Sequence, residues 1–270
     1  MKDTGSEYIR GVFDASLPQV PEPFSWIQSS CGVVLTCRPL DAIAPHAFTT
    51  RHLQLSSPDD WARVASLVGA RETATLTQVH GRTVLPVDHT WTPPRAARPE
   101  ADALASRNPN VALAVRAADC VPLLIADSRT GAVAAVHAGW RGTAAGIARA
   151  AVAALSRRFD AKPEDLVAAI GPSIGACCYE VGSELVDAFA AAGHTRDLVD
   201  RWFMIRQRRM FLDVPGANRD QLVLAGVREE NIHLSNLCTA MHLDVLTSYR
   251  AEKEHAGRIA GIIRSRGAGK

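Results

Sequence analysis

The strongest constraint on the fold lies mid-chain, where three apolar runs of strand length follow one another closely. Val111 to Arg116 and Val121 to Ala126 flank Asp119-Cys120, and Ala132 to His137 returns after the turn-forming Asp127-Ser-Arg-Thr-Gly131. Short apolar runs bounded by turn residues read as strands buried on both faces, and the Asp-to-Gly segment supplies a hairpin turn. Gly139-Trp-Arg-Gly142 then leads into an alanine-rich stretch from Thr143 to Arg158. Its Ile147, Ala150, Ala151, Ala154 and Leu155 recur at helical spacing, which predicts one helix packed on those strands.

Around this centre, Val33 to Cys37 and His46 to Thr50 read as strands, and Pro58 to Leu67 as a helix capped by Ser57 or Asp59 and ended at Gly69. Ala74 to Val79 and Thr83 to Val87 are β-rich and flank a tight turn at His80-Gly81. His89 to Glu100, with three prolines, is loop. Further on come a strand (Val167 to Ile170), a rigid turn (Gly171-Pro-Ser-Ile-Gly175), a helix (Ser183 to Ala192), a hairpin (Phe203 to Ile205 with Met210 to Leu212), a helix (Asp213 to Ala225), and strands at Ile232 to Ser235 and Ile259 to Arg264. Strands pair as often as they alternate with helices, so the class is α/β of the α+β type with mixed sheets. The expected organisation is an N-terminal extension over 1–30 and one domain over 31–270.

The 270 residues carry a formal charge of only +2 and no basic patch interleaved with aromatics, which argues against nucleic acid as a partner. No apolar stretch approaches the roughly 20 residues that span a bilayer, and acidic residues in Met1 to Glu7 argue against a secretory signal. The six cysteines form no CxxC pair and no disulfide framework, so reduced thiols in a cytoplasmic setting are expected.

Three candidate metal ligands stand at strand ends: His80 in Thr77-Gln-Val-His-Gly81, Cys120 in Ala118-Asp-Cys-Val-Pro122 and His137 in Ala135-Val-His-Ala-Gly-Trp140. Each alone is equally at home as a hydrogen-bonded core histidine or a packed thiol. Together, with glycines beside them that permit close approach, they form a donor set suited to Zn²⁺, and three ligands leave a fourth position for water or substrate. Cys177-Cys178 read as small packing residues, Tyr179 and Glu180 as candidate pocket walls, and Trp140 as core.

Four longer segments carry a resemblance. Thr77-Gln-Val-His-Gly81, Ala114-Val-Arg-Ala-Ala-Asp-Cys-Val-Pro-Leu-Leu124, Val136-His-Ala-Gly-Trp-Arg-Gly-Thr143 and Ile170-Gly-Pro-Ser-Ile-Gly-Ala-Cys-Cys-Tyr-Glu-Val-Gly182, supported by Cys238-Thr239 and Ser248-Tyr-Arg250, resemble the YfiH-like family. This family is also called laccase-domain, polyphenol-oxidase-like or purine nucleoside phosphorylase-like. The resemblance implies a layered sandwich of mixed β-sheets flanked by helices, and zinc on His80, Cys120 and His137. It also implies phosphorolysis of adenosine, inosine and methylthioadenosine, with adenosine deamination. The partners implied are purine nucleosides and phosphate, and a homodimer is compatible with this reading. Members commonly carry a Gly-Gly-Val-Ser stretch after the Thr-Arg matched by Thr50-Arg51, where this chain instead has His52-Leu-Gln-Leu-Ser-Ser57.

For deamination, Asp119 is the candidate acid–base group, with fastening of its loop as the alternative role. For phosphate, Arg141 at a helix start is the first candidate contact, with Arg51 and Arg116 behind it. Nine histidines without a single His-x-His pair argue against a multicopper oxidase, although a thiolate–imidazole set can take Cu²⁺ in vitro. A second enzyme reading makes Cys120 a nucleophile with His137 or His80 as base, an amidohydrolase acting on a peptidoglycan precursor. The non-enzymatic alternative is a metal-stabilised interaction module.

Overall fold

The computed structural model describes residues 17–91 and 97–267. The N-terminal residues 1–16, part of the proline-rich loop and the last three residues lie outside it. Of the stretch 1–30 set apart as an extension, Phe24–Ser29 forms the first strand, β1.

Two six-stranded mixed sheets stack face to face. One runs β1, β2 (Gly32–Cys37), β3 (His46–Thr49), β15 (Ile259–Arg264), β7 (Val111–Ala117) and β4 (Glu72–Ala74). The other runs β14 (Ile232–Leu234), β10 (Leu166–Ile170), β8 (Val121–Asp127), β9 (Val133–Ala138), β6 (Ala103–Ser106) and β5 (Val84–Val87). Within the second sheet β8 and β9 form the expected hairpin, antiparallel from Val121 opposite Ala138 to Ala126 opposite Val133.

Strand side chains alternate in direction, and this sorts the core into layers. From β8, Leu124 and Ala126 face the other sheet and join Leu113, Val115, Phe48 and Ile263 in the central layer. Val121, Leu123 and Ile125 point the opposite way, toward the helices α4 (Ile147–Phe159) and α7 (Val214–Leu224). On the outer face of the first sheet, Ala112, Ala114, Ala260 and Ile262 pack under α2 (Pro58–Leu67). The result is helix, sheet, sheet, helix: the layered sandwich of mixed sheets that the sequence implied. Both central strands are buried along their whole length, which is why they read as continuous apolar runs rather than alternating ones.

The alanine-rich stretch forms two helices, not one. A short α3 (Trp140–Ala144) ends before Gly146, whose φ of +82° breaks the hydrogen-bond ladder before α4 begins. The β-rich reading of Ala74 to Val79 is also corrected. Only Glu72–Ala74 pairs as a strand, while Thr77 makes an isolated bridge to Glu100. Val79 to Gly81 is free to turn because Asp102, not a neighbouring strand, takes up its N–H groups. The hairpin of β12 (Phe203–Arg206) and β13 (Arg209–Leu212) turns at Gln207-Arg208, both at positive φ, and β11 (Glu180–Val181) completes a small third sheet. Helices α1 (Arg38–Asp41), α5 (Glu184–Ala191), α6 (Arg196–Trp202) and α8 (Tyr249–Glu252) fill the edges. No described helix is long and apolar enough to cross a membrane.

Candidate metal centre

His80, Cys120 and His137 are far apart in sequence and meet in space. Cys120 stands immediately before β8, His137 near the end of the antiparallel β9, and His80 on the turn beyond β4. One potential ligand atom from each lies within 4.8 Å of the others. His137 is buried, Cys120 half-buried and His80 exposed, so the cluster opens to solvent on one side. The backbone approach at Gly139 makes this possible. A Cβ there would stand 2.8 Å from Cys120 Sγ and 2.9 Å from His80 Cδ2, closer than real contacts allow.

One fully buried carboxylate organises two of the three. Asp102 Oδ1 lies 2.9 Å from His137 Nδ1, and the Asp102 carboxylate accepts the backbone N–H groups of His80 (2.9 Å), Gly81 (2.6 Å) and Val79 (3.3 Å). This bond fixes the His137 tautomer and leaves Nε2 to point at the cluster. The same three amides explain how His80 sustains a φ of +60°. Burial opposes charge on Asp102, but the bonds from His137 and the amides outweigh it and hold the carboxyl below its usual range. Asp102 was not among the candidate residues read from sequence. Its signal was present as an acid within the apolar run Ala101-Asp-Ala-Leu-Ala105, since a buried charge persists only when paired and hydrogen-bonded.

The electrostatics of the cluster suit deprotonated sulfur. Burial raises the Cys120 thiol, yet bonds to His137 and His80 more than compensate and bring it down to about 6. Burial likewise lowers His137, while Asp102 and Cys120 lift it to about 9. Two imidazoles and a thiolate, with one face open, fit a zinc ion with a free position. The same donors tolerate copper. None of the nine histidines forms a His-x-His pair, and among the described residues only His80 and His137 belong to the cluster.

The cluster forms part of the wall of a cavity of about 900 Å³, large enough for a drug-sized ligand. Asp119 borders it at a φ of +85°, with Oδ1 accepting from Thr239 Oγ1 and Oδ2 from the Arg250 N–H, both at 2.6 Å. Of the candidate phosphate contacts, Arg116 lines the cavity. Arg141 is exposed, with its guanidinium 4.4 Å over the Trp140 ring, and does not line it. Arg51 is also outside, held by Glu252 at 2.8 Å and by the carbonyls of Leu243 and Leu246. Three further cations on the wall, Arg250, Lys253 and Arg258, were not read as phosphate contacts from sequence, because their closeness to Cys120 comes only from folding. Trp140 and Tyr179 line the cavity while also packing on the core, whereas Glu180 turns away to Arg209. Gln54, Leu55 and Ser56, from the segment that departs from the family pattern, border the cavity too.

A family model described as multi-copper polyphenol oxidoreductase laccase matches residues 47–266. A protein from Deinococcus radiodurans named purine nucleoside phosphorylase is 36% identical over 81% of this chain and 88% of its own length. One of the same name from Bacteroides thetaiotaomicron is 39% identical over 60% of this chain, and the match spans 60% of that relative. A protein from an unknown prokaryotic organism named adenosine deaminase RL5 is 40% identical over 63% of this chain and 64% of its own length. The crystal structure of YlmD from Geobacillus stearothermophilus superposes with a TM-score of 0.78 at 29% identity, covering 90% of this chain and all of that one. Matched along most of its length in sequence and in fold, the chain belongs to this laccase-like family of YfiH and YlmD relatives.

Proposed function

We propose that the protein is a cytoplasmic, zinc-dependent purine nucleoside phosphorylase that acts on adenosine, inosine and methylthioadenosine and also deaminates adenosine. The observation that carries the reading is one cavity that combines the His80–Cys120–His137 cluster with a wall of cations. The names of the relatives support it. In this reading His80, Cys120 and His137 hold the zinc, which supplies Lewis acidity where the nucleoside or its attacking group binds.

The chain's own groups do the rest. Phosphorolysis breaks the bond between ribose C1′ and the purine nitrogen and forms a bond from C1′ to a phosphate oxygen. The phosphate must therefore be held and its charge balanced, the task of Arg116, Arg250 and Arg258. Arg116 has two like charges near it, Arg98 and Arg258. Burial chiefly, and then those neighbours, lower its pKa. Such a cluster of guanidinium groups is relieved by an anion. Gln78 holds the Arg116 backbone at both ends, donating to its carbonyl at 2.7 Å and accepting from its N–H at 2.8 Å. Tyr179 keeps its phenolic proton, since burial above all pushes its pKa up to about 12, and its Oη can donate to a purine ring nitrogen or carbonyl. Asp119, with both oxygens engaged, fastens the loop that carries Cys120 rather than moving a proton.

The test is chromatography of inosine and adenosine after incubation with and without phosphate. Free purine and ribose 1-phosphate formed only with phosphate support the reading. Arg116→Ala should raise the phosphate KM by about tenfold, the loss of one charge-assisted contact, while phosphate-independent deamination of adenosine persists. No turnover of either nucleoside would refute it.

A second reading draws on the geometry of Cys120, His137 and Asp102, which is also that of a nucleophilic thiol, its base and an orienting acid. It predicts amide hydrolysis that Cys120→Ser abolishes without a change in metal content.

A further inference from the structure

Away from the cation-lined cavity, the chain brings three more thiols together. Cys177 and Cys178 follow the rigid turn that ends at Gly175, and Cys238 lies beyond β14 beside its bridge partner Ser173. All three Sγ atoms lie within 4.8 Å of one another, and among the described residues no imidazole or carboxylate belongs to the set. Cys177 is exposed, contrary to the packing role its sequence suggests, Cys178 is half-buried and Cys238 buried. The cluster thus runs from solvent inward. Cys177 and Cys238 border a separate cavity of about 210 Å³. The Gly175 N–H donates to Cys238 Sγ at 3.3 Å. None of the three sulfurs is bonded to another.

We infer that Cys177, Cys178 and Cys238 form a second metal site, a three-thiolate seat for a soft monovalent cation of the Cu(I) class. Thiolate sulfur selects soft ions, and sulfur-only sites are found with Cu(I), zinc and iron–sulfur clusters. Structural zinc and iron–sulfur sites call for a fourth protein ligand, which this cluster lacks. Three sulfurs at a metal–thiolate length of about 2.3 Å would lie roughly 4 Å apart, so rotation of the side chains suffices. Binding forms three Cu–S bonds and releases up to three thiol protons, with no change in oxidation state when the ion arrives as Cu(I). Burial above all, then the neighbouring thiols, push Cys177 up to about 12, so a cation that binds there must displace its proton. The site touches the first through Thr239, which follows Cys238 and donates to Asp119, next to Cys120.

The experiment titrates full-length protein anaerobically with Cu(I) against a chromogenic chelator, in wild type, Cys120→Ala and the double variant Cys177→Ser, Cys238→Ser. One Cu(I) should bind in Cys120→Ala, and in wild type whose first centre is filled with zinc, with an X-ray absorption spectrum of three sulfur scatterers at about 2.3 Å. The double variant should lose at least about 100-fold in affinity, more than an outer partner is worth. Undiminished uptake by the double variant, or nitrogen ligation in the Cys120→Ala spectrum, overturns the proposal. A measurement on wild type alone guards against a misfolded variant: Cu(I) should shield Cys177 and Cys178 from iodoacetamide, and unchanged alkylation rates overturn the proposal as well.

Discussion

At the scale of single residues, the centre depends on an atom that is absent and on a carboxylate that never reaches solvent. Gly139→Ala places a methyl group against Cys120 Sγ and His80 Cδ2, so the ligands must separate while the core stays packed. We expect metal affinity to fall by about 10–100-fold, as for loss of a supporting contact, measured by chelator competition. Wild-type affinity would show that the backbone approach is incidental. His46 makes a different demand. Its Nε2 accepts the Cys37 N–H at 3.0 Å, and Nδ1 faces the Ala44 carbonyl at 3.1 Å, an arrangement that only the neutral ring satisfies. Burial chiefly lowers its pKa from 6.5 to about 4. Between those values the unfolded chain binds a proton that the folded chain refuses. This share of stability is therefore intact above pH 6.5 and declines as pH falls toward 4, by on the order of 3 kcal/mol. An NMR titration that finds His46 changing charge near 6.5 would contradict this.

Elements differ in how plainly the sequence announces them. The β8–β9 hairpin, α2 and the last strand were legible because each pairs a periodic or continuous apolar run with its own punctuation: Asp127 to Gly131, Ser57-Pro58 and the end of β15. Ser57 accepts the Asp60 N–H at 3.2 Å, while the Asp60 carboxylate accepts the Ser57 N–H at 3.1 Å, so the start of α2 is closed by a reciprocal cap. Ser57→Ala should cost about 1 kcal/mol in urea unfolding and leave nucleoside turnover intact, because α2 covers the sheet face away from the central layer. An unchanged midpoint would mean that tertiary packing alone holds the helix. The break between α3 and α4 was harder to read, since Gly146 sits in an otherwise regular apolar pattern and its φ is invisible in sequence. The strand β6 was missed because its four buried residues are short and small, Ala-Leu-Ala-Ser.

Over the whole molecule, the sandwich converts distant motifs into one site. β8 and β9 lie side by side at the centre of their sheet, so the ligand before one and the ligand near the end of the other meet at the same edge. The three candidate ligands could be picked out from sequence because each stands in a specific motif, and the fold brings them together. Of the cations only Arg116 was named from sequence, since Arg250 and Arg258, more than a hundred residues further on, meet it only across the cavity. Arg141, next to a motif, lies outside the cavity wall, whereas Arg258 forms part of it. A metal at His80, Cys120 and His137 is the core of the proposed function, and its most direct test is metal analysis of purified wild type and Cys120→Ala beside inosine turnover with phosphate. It predicts about one zinc per chain in wild type, lost together with purine release in the variant. A metal-free wild type, or a variant that keeps both zinc and turnover, would contradict it.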